Sequence, residues 1–499
     1  MAKEPEQDAR PVEGPAPAEP SDDLVTTTHT LTVDGRELAY TATTGRVVLR
    51  EEVVDDGAAK GHEPKAEVFL TSYVLGAGDL STTDARPADV GTRPVVFAFN
   101  GGPGSASVWL HLGLLGPRRV VAGDAGALAT PPYALADNAE TLLVHADLVF
   151  IDPVSTGFSR AVKGGKAGDF HGFRRDLESV GEVIRLWTSR NGRWMSPKFL
   201  AGESYGTLRA AGLAEHLQER YGMYLNGVAL ISSVLDMATI RFTEGNDLPH
   251  ALFVPTYAAI AHFHGKHPGR SLEEVLADAE EFAERVYPWA LGRGARLSAD
   301  ERSSVVRTLA ALTGLSEDYV DRAGLRIEHI RFFTELLRTE RRTVGRLDGR
   351  FTGSEADAAG ERFTADPAMN AIMGPYTAAF NHYVRTELGY ANDLPYEVLS
   401  GAVNREWSYK EFEGRGVSVV HALGSAMRAN PHLRVHVASG YYDGATPYAA
   451  TAHTFAHLPV PDELRANVEV RHYAAGHMMY VHEPSRVQQS ADLAAFVTR

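Results

Sequence analysis

The sequence predicts an α/β protein with a mostly parallel central sheet and helices on both faces. Three observations carry that expectation. Short strand-like runs recur at 94–99 (PVVFAF), 147–152 (DLVFID), 198–201 (KFLA), 226–232, 433–438 and 468–473, and the continuous apolar run at 94–99 is the pattern of a strand buried on both faces. Between several of them lie segments with helical spacing, as strand–helix alternation in a parallel sheet requires. Several of these runs end directly in glycine-bearing loops, and in a parallel sheet all such loops share one edge, where ligands bind.

Taken in order, residues 1–28 form a tail in which Pro5, Pro11, Pro15, Pro17 and Pro20 sit among acidic and small residues, with almost nothing to bury. From 29 the pattern is antiparallel. A strand to Val33 meets the Asp34-Gly35 turn, a second strand follows over 36–44, and alternating runs at 47–54 and 66–74 extend this edge before the main sheet. The 94–99 strand ends in Asn100-Gly101-Gly102-Pro103-Gly104-Ser105. Its glycines permit close backbone approach to a ligand and leave N–H groups pointing outward. Neither phosphate-binding glycine pattern is met there. Residues 171–190 carry an apolar stripe of Leu177, Val180, Val183, Ile184 and Trp187 and read as a helix.

The next strand runs into Gly202-Glu203-Ser204-Tyr205-Gly206. This fits Gly-x-Ser-x-Gly, a tight strand-to-helix turn that lifts a serine hydroxyl above a sheet. Ala210, Leu213, Ala214 and Leu217 then mark one face of the following helix. A side chain at either glycine would crowd the turn or demand an unfavourable φ. From 244 to 410 the alternation stops. Residues 272–291, 299–312 and 327–337 read as helices, and the block is expected to be an insertion that caps the site. The expected divisions are thus a 1–28 tail, a core over 29–243, a helical cap over 244–410 and the rest of the core over 411–499. The sheet resumes at 433–438, followed by Tyr441-Tyr442-Asp443-Gly444. The last strand leads to Gly476-His477-Met478, and helix signals close the chain through Phe496.

Composition bounds the chemistry. At 499 residues the chain is long for one core. A net charge of −15, with no run of basic residues, argues against nucleic acid. No cysteine is present, which excludes disulfides, thiolate chemistry and cysteine-ligated zinc. No window approaches the roughly 18 apolar residues of a membrane span. The first residues lack a basic segment followed by an apolar run, so a cytoplasmic location is expected. No cofactor is implied. His472, His477 and His482 offer a weak metal alternative, without the H-E-x-x-H spacing of a zinc site.

Ser204, Asp443 and His477 each follow a strand, in the order Ser…Asp…His that α/β-hydrolases use. Asp152 and Asp236 also end strands. Asp443 is preferred because it follows a late strand and precedes the histidine, and Asp152 before Pro153 reads as a turn acid. Taken together, NGGPGS at 100–105, DLVFIDPVSTGFS at 147–159, GESYG at 202–206, the 440–443 region and GHM at 476–478 resemble the serine carboxypeptidase family of α/β-hydrolases (peptidase family S10). The resemblance covers about 95–240 and 430–485.

It implies that Ser204 attacks a scissile carbonyl, that His477 takes and returns the proton, and that Asp443 orients His477. It implies an oxyanion hole from the Gly102 and Tyr205 N–H groups, each worth on the order of 3 kcal/mol in the transition state. Asn100, Gly101 and Glu203 match substrate-binding positions, Asn100 and Glu203 those that hold a terminal carboxylate. Glu203 can face a carboxylate only when protonated, so peptide binding is expected to favour acidic pH. One position departs. The family pattern has a second glutamic acid fourteen residues after the Asn, and here that slot is Leu114. The expected function is therefore a serine carboxypeptidase acting on a peptide or small acyl substrate. The alternatives are an esterase or acyltransferase using the same triad, and a non-catalytic binding protein on a hydrolase fold.

Overall fold

A computed structural model describes residues 19–76 and 91–499. Its centre is a ten-stranded mixed sheet. Strands β1 (Asp23–Val33), β2 (Arg36–Asp55) and β3 (Ala58–Leu75) form an antiparallel meander. The main block is β4 (Val95–Phe99), β5 (Asp147–Ile151), β6 (Lys198–Glu203), β7 (Gly227–Ile231), β8 (Arg434–Gly440) and β9 (Val468–Tyr473). The order across the sheet is β1-β2-β3-β5-β4-β6-β7-β8-β9, and a short strand at Arg160–Ala161 pairs with β3. From β5 to β9 every pairing is parallel, while β3 meets β5 antiparallel. The expected α/β-hydrolase architecture, with an antiparallel prelude to a mostly parallel sheet, is what is found.

Alternation along the strands divides the core in two. Val96, Ala98, Ala201, Ala229 and Ile231 face one side, where α7 (Pro367–Thr386) and the C-terminal α9 (Glu483–Thr498) pack. Phe97, Phe99, Leu200, Val228 and Leu230 face the other, covered by α1 (Phe173–Arg190), α2 (Tyr205–Tyr221) and α8 (Val420–Ala429). The stripe read in the sequence over 171–190 is the buried face of α1. Burial of each large apolar side chain contributes roughly 1.5–3 kcal/mol, so the central strands are the rigid platform of the molecule.

The insertion has its own apolar centre. Val254–Phe263 (α3), Leu272–Glu281 (α4), Ala299–Thr313 (α5) and His329–Glu335 (α6) enclose Tyr257, Val275, Leu309, Phe332 and Phe333. Serines 271 and 298 open α4 and α5 with reciprocal capping boxes to Glu274 and Glu301.

Two expectations need correction. The cap boundary of 244–410 is too wide: its separate core ends near Val344, while Leu347, Phe351, Tyr376, Phe380, Tyr383 and Tyr396 join the sheet-side core. The aromatic face of α7, with Tyr376, Phe380 and Tyr383, packs on the sheet side rather than in the cap. The helix expected over 272–291 is present as a continuous run, Leu272–Glu281, a wide π-turn at Phe282–Val286 and Tyr287–Arg293, with Pro288 in the first turn of the last piece. Proline has no N–H to extend the preceding ladder. The tail expected over 1–28 lies outside the described residues up to 18, and Asp23 onward belongs to β1. Among the described residues, no helix is long and apolar enough to cross a membrane.

Candidate active site

The register of the parallel strands aligns the candidate residues. Phe99 pairs with Gly202, Glu203 with Ile231, Ile231 with Ala438, and Gly440 with Tyr473. Asn100, Ser204, Ser232, Asp443 and His477 therefore leave the sheet along one edge.

Ser204 sits at φ 59°, ψ −128°, a conformation that L-residues rarely adopt. Such strain costs of order 1–3 kcal/mol and persists only where its surroundings enforce it. Here the Ser204 N–H donates to Ile231 O at 3.0 Å, and Thr207 closes the turn onto Ser204 O. The glycines flanking it are required by space. A Cβ on Gly202 would lie 2.2 Å from Gly206 O, and one on Gly206 would lie 2.8 Å from Phe99 O.

Asp443 and His477 meet as the sequence order suggested. His477 Nδ1 lies 2.8 Å from Asp443 Oδ2, and both side chains are buried. The second carboxylate oxygen accepts the N–H groups of Ala445 and Thr446 at 2.8 and 2.9 Å. The Thr446 hydroxyl donates to Oδ2 at 2.7 Å. This ring of donors fixes the carboxylate plane, and through it the imidazole. The loop carrying the histidine is tied to the neighbouring strand end, with Ser232 Oγ donating to His477 O at 2.5 Å. Burial works to lower the proton affinity of His477. The Asp443 charge and hydrogen bond, with Glu203, overcome it and hold the pKa above the ordinary imidazole value.

The rejected acids have structural work. Asp152 Oδ1 accepts the Ser107 N–H at 2.7 Å, and Asp236 caps the turn at Met237–Thr239. The three histidines of the metal alternative go to separate partners: His477 to Asp443, His472 stacked 5.5 Å from Tyr441, and His482 to Ser485.

The glycine-rich loop packs directly on the serine turn. A Cβ on Gly101 would stand 2.4 Å from the Tyr205 amide nitrogen. The N–H groups of Gly102 and Tyr205 have no hydrogen-bond partner among the described residues, and Tyr205 opens the 17-residue α2. Two free donors, one of them at a helix N-terminus, suit a developing negative charge.

Glu203 is buried at 3% exposure and receives the Tyr480 hydroxyl at 2.7 Å. Burial pushes its carboxyl up to about 7, against the lowering influence of His477 and Tyr480. Asn100 Oδ1 accepts the Leu110 N–H at 3.1 Å, while its Nδ2 is buried without a partner. Leu114 is buried within the turn at His111–Leu115, and neighbouring Gly113 is pressed against the Tyr480 and Tyr376 rings.

Several residues that serve this site were not visible in the sequence. Arg209, fully buried in α2, donates to Asp176 at 2.8 Å and to Asn100 O at 2.7 Å, clamping the glycine-rich loop to the serine helix. A charged residue inside an otherwise small and apolar run was the available signal. Thr446 and Tyr480, each three residues beyond a triad member, had only proximity to mark them. The loops of Asp443 and His477 are also held by the segment after α6, through Leu347, Asp348 and Arg346.

Residues 83–252 match the family model of the serine carboxypeptidases. Among solved structures, the chain resembles the prohormone-processing carboxypeptidase Kex1(delta)p from Saccharomyces cerevisiae, at 15% identity over 91% of both chains with a TM-score of 0.54. It also aligns with a proline iminopeptidase from Mycobacterium smegmatis (14% identity, 90% and 98% covered, TM-score 0.36). A thermophilic esterase from Thermogutta terrifontis aligns as well (12% identity, 91% and 99% covered, TM-score 0.36). No curated protein sequence matches the chain. Residues 83–252 thus resemble the serine carboxypeptidases, and the fold of the chain is that of the α/β-hydrolases.

Proposed function

We propose that the protein is a serine-type carboxypeptidase that removes C-terminal residues through an acyl-enzyme on Ser204. The observation that carries this reading is the acid beside the nucleophile. Glu203 precedes Ser204, is buried, and keeps its proton up to about pH 7. A neutral carboxyl at that point can donate to a substrate carboxylate, which an ionised one would repel. In the reaction, Ser204 Oγ attacks the carbonyl carbon while His477 takes its proton. The oxyanion rests on the Gly102 and Tyr205 N–H groups. His477 then protonates the leaving amine, and water repeats the sequence to release the acyl group.

Leu114 favours a second reading. Without the second carboxyl of the family pattern, the terminal carboxylate has one fewer partner, and an esterase or acyltransferase would use the same triad. The separating experiment is mass spectrometry of two N-blocked peptides, one ending in a free acid and one in an amide, with Ser204→Ala as control. Shortening of the free acid alone, lost in Ser204→Ala, is the expected result. Cleavage of both at similar rates would replace the carboxypeptidase reading with a broader amidase. Hydrolysis of a simple ester with neither peptide touched would favour the esterase.

A further inference from the structure

The cap returns to the sheet through residues 343–353, a short hairpin (Thr343–Val344 paired with Thr352–Gly353) whose tip crosses the two loops that carry the acid and the base. Arg346 stands at the centre of this crossing. Its carbonyl accepts the N–H of Gly444, the residue after Asp443, at 3.0 Å. The next carbonyl, that of Leu347, accepts the N–H of His477 at 2.6 Å. The amides of Arg346 and Leu347 are held at 3.1 and 3.0 Å by the carboxylate of Asp366. The Arg346 backbone is thus fixed between Asp443 and His477.

Its side chain is different. The guanidinium is half-buried and makes no hydrogen bond or ion pair among the described residues. The other cations nearby are occupied. Arg350 is paired with Asp348 at 2.6 Å and with Asp124 at 3.2 Å, and Arg362 lies 4.0 Å from Glu328. With the Arg346 carbonyl on Gly444 and the next carbonyl on His477, the side chain springs from the seam between the cap and the two triad loops. A partly desolvated guanidinium with all its donors free is a site for an anion, and its planar fork matches a carboxylate. Leu114 stands where the family pattern has a carboxyl, so the chain has one ligand fewer for a substrate carboxylate.

We propose that Arg346 is a specificity-determining residue that binds a carboxylate of the substrate, either its terminus or an Asp or Glu side chain next to the scissile bond. The proposal rests on the peptidase reading above and gives it a substrate class. A guanidinium–carboxylate pair at a half-buried site should favour an acidic peptide over its neutral isostere by at least about tenfold.

The test compares kcat/KM for peptides identical except for free acid against amide at the C-terminus, and Glu against Gln on either side of the scissile bond. It uses the wild type, Arg346→Gln, Arg346→Lys and Arg346→Glu, each first shown by its melting curve to be folded. Selectivity is a ratio within one variant, so a general loss of turnover cancels. The expected result is a tenfold or larger acidic preference that vanishes in Arg346→Gln, survives in part in Arg346→Lys and turns toward Lys-bearing peptides in Arg346→Glu. Whichever pair of peptides loses its ratio identifies the carboxylate. An acidic preference unchanged in Arg346→Gln overturns the proposal while leaving the peptidase reading intact. If no peptide is cleaved, calorimetry on Ser204→Ala and on Ser204→Ala/Arg346→Gln decides. Binding of the acidic peptide lost only in the double variant supports the role of Arg346 though the peptidase reading has failed, and equal or undetectable binding in both overturns it.

Discussion

Replacing Glu203 with glutamine should make the protein more resistant to heat at neutral pH, and by an amount that depends on pH in a defined way. Glu203 lies at the end of β6 with 3% of its surface exposed, and burial pushes its carboxyl from 4.5 up to about 7. Below about pH 4.5 the native and unfolded chains both hold the proton. Between 4.5 and 7 the unfolded chain ionises while the native one does not, so native stability falls as pH rises. Above 7 the penalty is constant. At about 1.4 kcal/mol per pH unit, the interval amounts to about 3 kcal/mol. Glutamine does not titrate, keeps an oxygen for the Tyr480 hydroxyl and lacks this penalty.

The assay is differential scanning calorimetry of both proteins from pH 4.5 to pH 8. Unfolding entropy for 499 residues is of order 1 kcal/mol/K, so 3 kcal/mol corresponds to about 3 °C. Whatever the amide costs in packing is the same at every pH. The difference in Tm between variant and wild type should therefore grow by about 3 °C across the range. A difference that stays constant from pH 4.5 to pH 8 would refute the buried neutral carboxyl, and with it the main support for carboxylate recognition at this position.

Two further outcomes follow from the same geometry. Asp443→Asn puts a donor against His477 Nδ1 in place of Oδ2, so the wrong tautomer faces Ser204. The second-order rate of labelling by a fluorophosphonate should drop by about 10³–10⁴-fold, and a loss under tenfold would remove Asp443 from the triad. Arg209→Met or Asp176→Leu leaves one buried charge of a fully enclosed pair unmatched. Each should cost about 3–5 kcal/mol, whereas Arg209→Met/Asp176→Leu together should recover most of it. Additive losses in the double variant, read by thermal melting, would show the pair to be uncoupled.

What the sequence revealed and what it hid divide along a physical line. Ser204, Asp443 and His477 were legible because their positions follow from strand ends. A buried strand announces itself by apolar residues, and the loop after it must lie at the sheet edge. Gly202 and Gly206 were legible because backbone crowding leaves no other residue. Tyr480 and Arg346 were not, since their roles come from contacts between segments hundreds of residues apart in the chain, which no local pattern records. Tyr480 reaches Glu203 across 277 positions. The cap was recognisable as helical because charged outer faces and capping serines are local. Its limit near Val344 was not, because whether α7 belongs to the cap or to the sheet is decided by which surface can bury Tyr376, Phe380 and Tyr383.

The hairpin at 343–353 ties the insertion to both triad loops. Gly349 donates to Tyr442 O and Gly444 to Arg346 O on the acid side, at 2.9 and 3.0 Å. On the base side, His477 donates to Leu347 O, and Gly476 to the Asp348 carboxylate at 3.2 Å. The two loops are also bonded to each other, with Tyr442 N donating to Ala475 O at 3.0 Å. Three backbone donors of the triad loops thus end on a segment that belongs to neither β8 nor β9, and a fourth bond runs back from that segment to the acid loop. A proton-transfer pair needs its geometry held to a fraction of an ångström, and here that constraint comes from the insertion as much as from the sheet. The backbone that carries Arg346 and the clamp that aligns Asp443 and His477 are therefore one piece of chain. A change that reshapes specificity through the hairpin backbone would disturb the triad, whereas a change confined to the Arg346 side chain would not have to, because that side chain makes none of the bonds that hold the loops.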